Sequence, residues 1–229
     1  MYTQIFDWIV NIGLLFLIAS VIVWGRYYKT LPKAIQVLGY YLVSNLFIQL
    51  AAHFLWYKSL NNLPLLHLNT ILEFVFISLF FKEMYIDQHF FKKNIRYIIS
   101  GGVFLLIINS LFWEPINDFN SNAKTLVQVI IIAHAVAYFF DAFGRIDFSE
   151  QQNQAISFIC FAILLNYSGS LFIFMFSQFF PGDKNLTFEA FWIVNACLTF
   201  VFQLIILIAI SRVAFQGRKL SVSRFKKQN

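Results

Sequence analysis

Seven apolar runs, near residues 6–25, 34–57, 64–81, 97–113, 125–143, 155–180 and 187–211, set the terms for any fold of this chain. Each is about as long as a helix must be to cross a ~30 Å hydrocarbon core. In hydrocarbon a segment has to pair its own backbone N–H and C=O groups, so runs of this length are read as helices. The expectation is an all-α polytopic membrane bundle of about seven transmembrane helices over residues 1–211, with a basic tail over 212–229. The longest connection, 82–96, and the tail are both too short for a folded domain, and only 12% of the residues are charged. The chemistry of the chain therefore has to lie in or against the bilayer.

Orientation follows from the basic residues. Arg26, Lys29, Lys33, Lys82, Lys92, Lys93, Arg96, Arg145, Arg212 and the tail cations Arg218, Lys219, Arg224, Lys226 and Lys227 fall on one side, and only Lys58, Lys124 and Lys184 on the other. The positive-inside rule then puts the N-terminus outside and the C-terminus in the cytoplasm. The N-terminal "MYTQIFD" has no basic n-region, so the first run reads as a retained helix and not a cleaved signal. The expected residence is a bacterial cytoplasmic (inner) membrane. The net charge of +6 is accounted for by this topology and by a tail suited to anionic headgroups, and nucleic acid is not an expected partner. Cys160 and Cys197 lie in apolar runs, where a thiol acts as a small filler, and no disulfide is expected.

The prolines Pro32, Pro64, Pro115 and Pro181 all fall at run ends or in connections, which predicts unbroken helices. Each helix except the fourth carries a polar stripe on an apolar background, the pattern of a polar side turned toward other helices. Tyr41, Asn45, Gln49, His53 and Tyr57 recur at four-residue intervals. The fourth run is plain at mid-depth and is expected to face lipid, with Gly101 and Gly102 permitting a close helix contact.

Glu73 is the outstanding residue, because a carboxylate at the centre of a span costs roughly 2.5–3.5 kcal/mol even on insertion scales. Counted from Pro64 it lies about 14 Å deep. The same count places His134, Gln49, Asn195 and Ser170 at one level on four other helices, with His134 as the titratable partner. His53 and His67, nearer the outer surface, are expected to meet and to continue a path to Glu73. The candidate ligand- or proton-binding set is Glu73, His134, Gln49, His53, His67 and Asn195. Asp141 is expected to pair locally with Arg145.

Several chemistries find no support in the sequence. Covalent retinal needs a lysine inside a span, and every basic residue is assigned to a connection or the tail. His53, His67 and Glu73 are weak metal candidates without the local HxxH or HxxxH spacing, and there is no HExxH, GxSxG or P-loop. No catalytic residue is assigned and no cofactor is expected. The leading expectation is a receptor- or sensor-like bundle acting through a partner protein that docks on the basic loops and tail, such as the 82–97 segment. Its alternatives are a small transporter or channel coupled to protons through Glu73, a structural subunit of a membrane complex, and an intramembrane metal hydrolase.

Overall fold

The computed structural model describes the backbone of residues 2–85, 89–143, 151–176 and 186–228, and side chains over 4–85, 89–143, 153–176 and 190–215. The described residues form seven α-helices: α1 (Tyr2–Tyr27), α2 (Lys33–Tyr57), α3 (Leu63–Met84), α4 (Phe90–Phe112), α5 (Ser121–Ala142), α6 (Gln151–Phe176) and α7 (Leu186–Gln228). A 3-10 turn, Tyr28–Thr30, joins α1 to α2. All seven helices are long and apolar enough to cross a membrane. Helix length and composition are those of a polytopic membrane protein. Below, the end of the bundle at which α1, α3, α5 and α7 begin is the N-face, and the opposite end is the C-face.

Helix ends follow local chemistry. Pro64 sits in the first turn of α3, where its missing N–H is no loss. His89 caps α4, its Nδ1 accepting from the Phe91 N–H at 3.2 Å. Two boundaries differ from expectation. The fourth helix starts at Phe90 and not near 97, so Lys92, Lys93 and Arg96 ride on its first two turns, where long stems can carry their charge toward water. The seventh helix continues through the basic segment to Gln228.

Neighbouring pairs α1–α2, α2–α3, α3–α5, α5–α6, α6–α7 and α7–α1 form a closed circuit, with α4 outside it against α3 and α5. This agrees with the plain sequence of α4, whose Phe104, Leu111 and Phe112 are exposed. Gly102 lets α4 approach α3: a Cβ there would stand 2.3 Å from the buried Phe74 ring, whereas Gly101 faces open space. The shared core gathers Leu38 and Leu42 of α2, Phe74, Ile77 and Phe81 of α3, Ile131 of α5, Ile159 and Ile163 of α6, and Phe202 and Ile206 of α7. Large apolar side chains such as Trp8, Leu15, Phe47, Phe54 and Phe140 point outward, as a lipid-facing surface requires. Cys160 is buried and Cys197 exposed, and both are free.

Candidate functional site: a buried Glu73–Lys124 pair beneath a sunken helix end

Glu73 is buried in α3, ten residues below its N-face end, and its partner is Lys124. The Lys124 ammonium stands 2.5 Å from Glu73 Oε1, with the two side chains 14% and 5% exposed. Lys124 is the fourth residue of α5 and lies within a helix long and apolar enough to span a membrane, not in a connection. A set of spans free of lysine is therefore not what the fold has, and the absence of an intramembrane lysine no longer argues against a Schiff-base cofactor. On its other side Glu73 faces the Tyr167 hydroxyl of α6, which in turn faces Tyr41 of α2. Side chains from α2, α3, α5 and α6 thus converge on one carboxyl group.

Lys124 reaches this depth because the N-terminus of α5 is drawn into the bundle. Glu114, in the α4–α5 connection and only 6% exposed, accepts four hydrogen bonds. Its Oε1 takes the Asn122 N–H at 2.7 Å and the Ser121 hydroxyl at 3.1 Å, and its Oε2 takes the Ala123 N–H at 3.1 Å and the Asn109 amide at 2.7 Å. A carboxylate there satisfies orphan N–H groups and meets the positive end of the helix dipole. Asn120, at the N-cap position, is released from capping and donates instead to Leu66 O and Thr70 Oγ1 of α3, at 3.1 and 2.8 Å. These bonds anchor the sunken end to α3.

The same anchoring sets the register of the parallel helices α3 and α5. Thr70 meets Asn120, Glu73 meets Lys124 and Tyr85 meets His134, at sequence offsets of 50, 51 and 49. His134 is therefore about ten residues, or ~15 Å, further toward the C-face than Glu73. The expected Glu73–His134 pair does not form. Counting depth from the end of each apolar run assumes that all helices start at one level, and α5 starts deeper than α3.

His134 belongs to a second cluster at the C-face. Tyr85 Oη donates to His134 O at 2.9 Å and lies 3.0 Å from Nδ1. Because the hydroxyl gives its one proton to the carbonyl, Nδ1 carries the imidazole proton in this arrangement, and the buried Nε2 has no partner among the described residues. His89 stacks on Tyr85 at 4.3 Å and presents Nε2 to Asp141 at 3.3 Å. Asp141 thus faces α4; its expected partner Arg145 lies outside the described residues. Burial raises the Tyr85 phenol well above its ordinary value, which keeps it a neutral donor.

The other expected site residues separate. His67 is buried, with Nδ1 2.8 Å from Ser110 Oγ and Nε2 3.2 Å from Asp118 O. His53 is exposed beside Trp56 and does not join it. Gln49 bonds along its own helix to Asn45 at 3.2 Å. Asn195 is half-buried on α7, which packs chiefly on α1 and α6. Ser170 accepts from Gln128 of α5 at 2.8 Å, one turn below Lys124. Among the described residues no three His, Cys, Asp or Glu side chains gather as a metal site, so His53, His67 and Glu73 do not form one. The tail cations and Lys184 lie outside the described side chains.

His67 Nε2 faces a carbonyl, which only accepts, and so donates to Asp118 O, while Ser110 beside Nδ1 also reaches Leu106 O at 3.1 Å. Over Lys124 sits an aromatic group: its ammonium is 5.7 Å from the Phe174 ring, which stacks on Phe119 and meets Trp192 edge-on. Lys124, Glu114, Asn120 and Tyr167 are the residues that sequence reading passed over. The signal was present for the first three, since "EPINDFNSNAK" sets an acid and an Asn-Ser cap just ahead of an apolar run. No family model, curated protein or solved structure matches the chain.

Proposed function

We propose that this membrane protein is receptor-like: a small polar ligand or a proton entering from the N-face acts on the Glu73–Lys124 pair, and the change is passed to a partner protein at the C-face. The observation that carries this reading is the pair itself, a charged couple held within the bundle where an apolar contact would be cheaper. Buried ion pairs are weak devices for stability, because desolvation offsets much of their attraction, and a position that keeps one calls for another reason. The surroundings fit a responsive site. His67, Glu114 and Asn120 line the N-face side with groups of both hydrogen-bonding polarities, and Phe119, Phe174 and Trp192 cover Lys124 with rings suited to a cation or an apolar ligand body. Tyr167 and Tyr41 link Glu73 to α6 and α2, so a change in the pair bears on four helices at once. By the distribution of basic residues the N-face is the outer side and the C-face the cytoplasmic one.

A transporter is the second reading, favoured by one observation. Among the described residues Ser78 Oγ, Asn166 Oδ1 and both amide atoms of Gln203 are buried with no hydrogen-bond partner, and groups of this kind call for water. A chain of waters on the C-face side of Glu73 would open the site to both surfaces.

An experimental density map of the purified protein in lipid nanodiscs discriminates these readings. Ligand or ordered water between Glu73, Lys124 and Phe174, with access from the N-face alone, supports the receptor. Water continuing past Ser78 and Gln203 to the C-face supports the transporter. A dry, directly bonded pair with no access from either face overturns both and leaves a structural role.

A further inference from the structure

A second feature lies far from Glu73, at the C-face. The end of α1, the 3-10 turn and the first turns of α2 enclose an open cleft of about 520 Å³ lined by Trp24, Gly25, Arg26, Tyr28, Lys29 and Tyr40. Its walls are fixed. The Trp24 indole lies against α2 so closely that a Cβ on Gly39 would stand 1.9 Å from its nitrogen. The Tyr28 and Tyr40 hydroxyls bond to each other at 2.7 Å, and both rings meet Trp24 edge-on at 5.2–5.4 Å. The Gln36 amide donates to Tyr28 O and Leu31 O, which ties the turn to α2. Gly25 lines the cleft, and among the described residues nothing stands within 4 Å of the place a Cβ would occupy there.

The chemistry of the cleft is that of a headgroup site. Arg26 and Lys29 are exposed cations at its rim. The neighbouring Lys33 is engaged with Glu83 at 3.3 Å, which sets the local acid against Lys33 and not against the cleft. Tryptophan and tyrosine are the residues that settle at the level of lipid headgroups. From Tyr40, a cleft residue, an exposed apolar stripe runs up α2 through Val43, Phe47, Leu50 and Phe54. Spacings of three and four keep it on one helical face. A phosphate held by Arg26 and Lys29 would therefore have its acyl chains laid along a ready hydrocarbon track. The basic face is also the one the positive-inside rule assigns to the cytoplasmic leaflet, where anionic lipids concentrate.

We infer that this cleft is a binding site for the phosphodiester headgroup of an anionic phospholipid, with Arg26 and Lys29 as the phosphate ligands and the Tyr40–Phe54 stripe as the acyl-chain track. It is distinct from the Glu73–Lys124 site and independent of the receptor reading.

The test is lipid retention by the intact protein in native mass spectrometry, with phosphatidylglycerol and phosphatidylcholine of matched chains as probes. Phosphatidylglycerol is expected to bind preferentially. Arg26→Gln/Lys29→Gln should weaken it about thirtyfold, as removing two interfacial cations implies. The charge-matched control Lys93→Gln/Arg96→Gln, elsewhere on the same face, should leave affinity within about twofold. Gly25→Leu keeps both cations but adds a side chain to the lining where there is open space, and should lower retention while leaving thermal stability unchanged. Equal binding of the two lipids, or equal loss in the control, overturns the assignment. Displacement of phosphatidylglycerol by inorganic phosphate at comparable concentration would make the site one for free phosphate and overturn the lipid reading.

Discussion

Replacing Lys124 with Met removes the ammonium while keeping most of the stem's volume, and so strands the Glu73 carboxyl at 5% exposure. Removing one partner of a buried pair costs about 3–5 kcal/mol, most of it the desolvation of the group left behind. Because Lys124 is 14% exposed, the lower end of that range is the expected value, about 3 kcal/mol. Glu73→Gln is milder: the amide can still accept from Lys124, and the ammonium retains the Phe174 ring at 5.7 Å, so about 1–2 kcal/mol is expected. The double variant removes both charges and should cost about 2 kcal/mol less than the sum of the singles, the mark of a direct interaction. Equilibrium unfolding in mixed micelles, read by near-UV circular dichroism, supplies the three free energies. Additivity within about 0.5 kcal/mol, or a neutral Lys124→Met, would refute the claim that the two charges are coupled inside the bundle.

Two further outcomes follow from the geometry. Glu114→Ala should cost about 3 kcal/mol or more, since it orphans the Asn122 and Ala123 N–H groups and the Asn109 amide, each worth ~1–3 kcal/mol when buried. Glu114→Gln should cost less, and amide exchange over the first turn of α5 should rise most in the alanine variant; unchanged exchange there would count against the capping role. Among adjacent glycines of α4, Gly102→Ala should destabilise by ~1–3 kcal/mol through its 2.3 Å clash with Phe74, while Gly101→Ala should stabilise by ~0.5–1 kcal/mol through helix propensity alone. The same unfolding assay separates them, and a shared sign would contradict the helix approach.

The resistance of the site to sequence reading has a specific cause. Glu73 stands out in the sequence because a carboxyl deep in an apolar run is improbable without a purpose. Its partner was hidden by a boundary. Lys124 precedes the last apolar run before residue 143 by one position, and a lysine at that place reads as a connection residue. What brings it inward is Glu114, ten residues earlier in a segment that hydropathy treats as loop, whose carboxylate caps α5 below the level of α3. The His53–His67 contact failed for another reason. The two residues are close along the chain through a tight connection, but the pitch of α2 turns His53 to its exposed side while His67 faces Ser110 of α4.

Hydrophobicity along a chain is local and additive, so the sequence by itself determined that there are seven apolar helices and that α4 is peripheral, although α4 begins well ahead of its apolar run, α7 continues past its own, and His53 of the α2 polar stripe is exposed. Relative depth is neither local nor additive. A slide of one helix by two turns changes little of its burial in an apolar surround, yet it exchanges every polar partner in the interior. That choice is made by a few directional bonds: four local ones to Glu114, which fold the end of α4 and the connection onto the start of α5, and two from Asn120 to Leu66 and Thr70 of α3, far away in sequence. Hence only the tertiary structure decided that Glu73 meets Lys124 and Tyr167, and that His134 lies with Tyr85 and His89 at the other face.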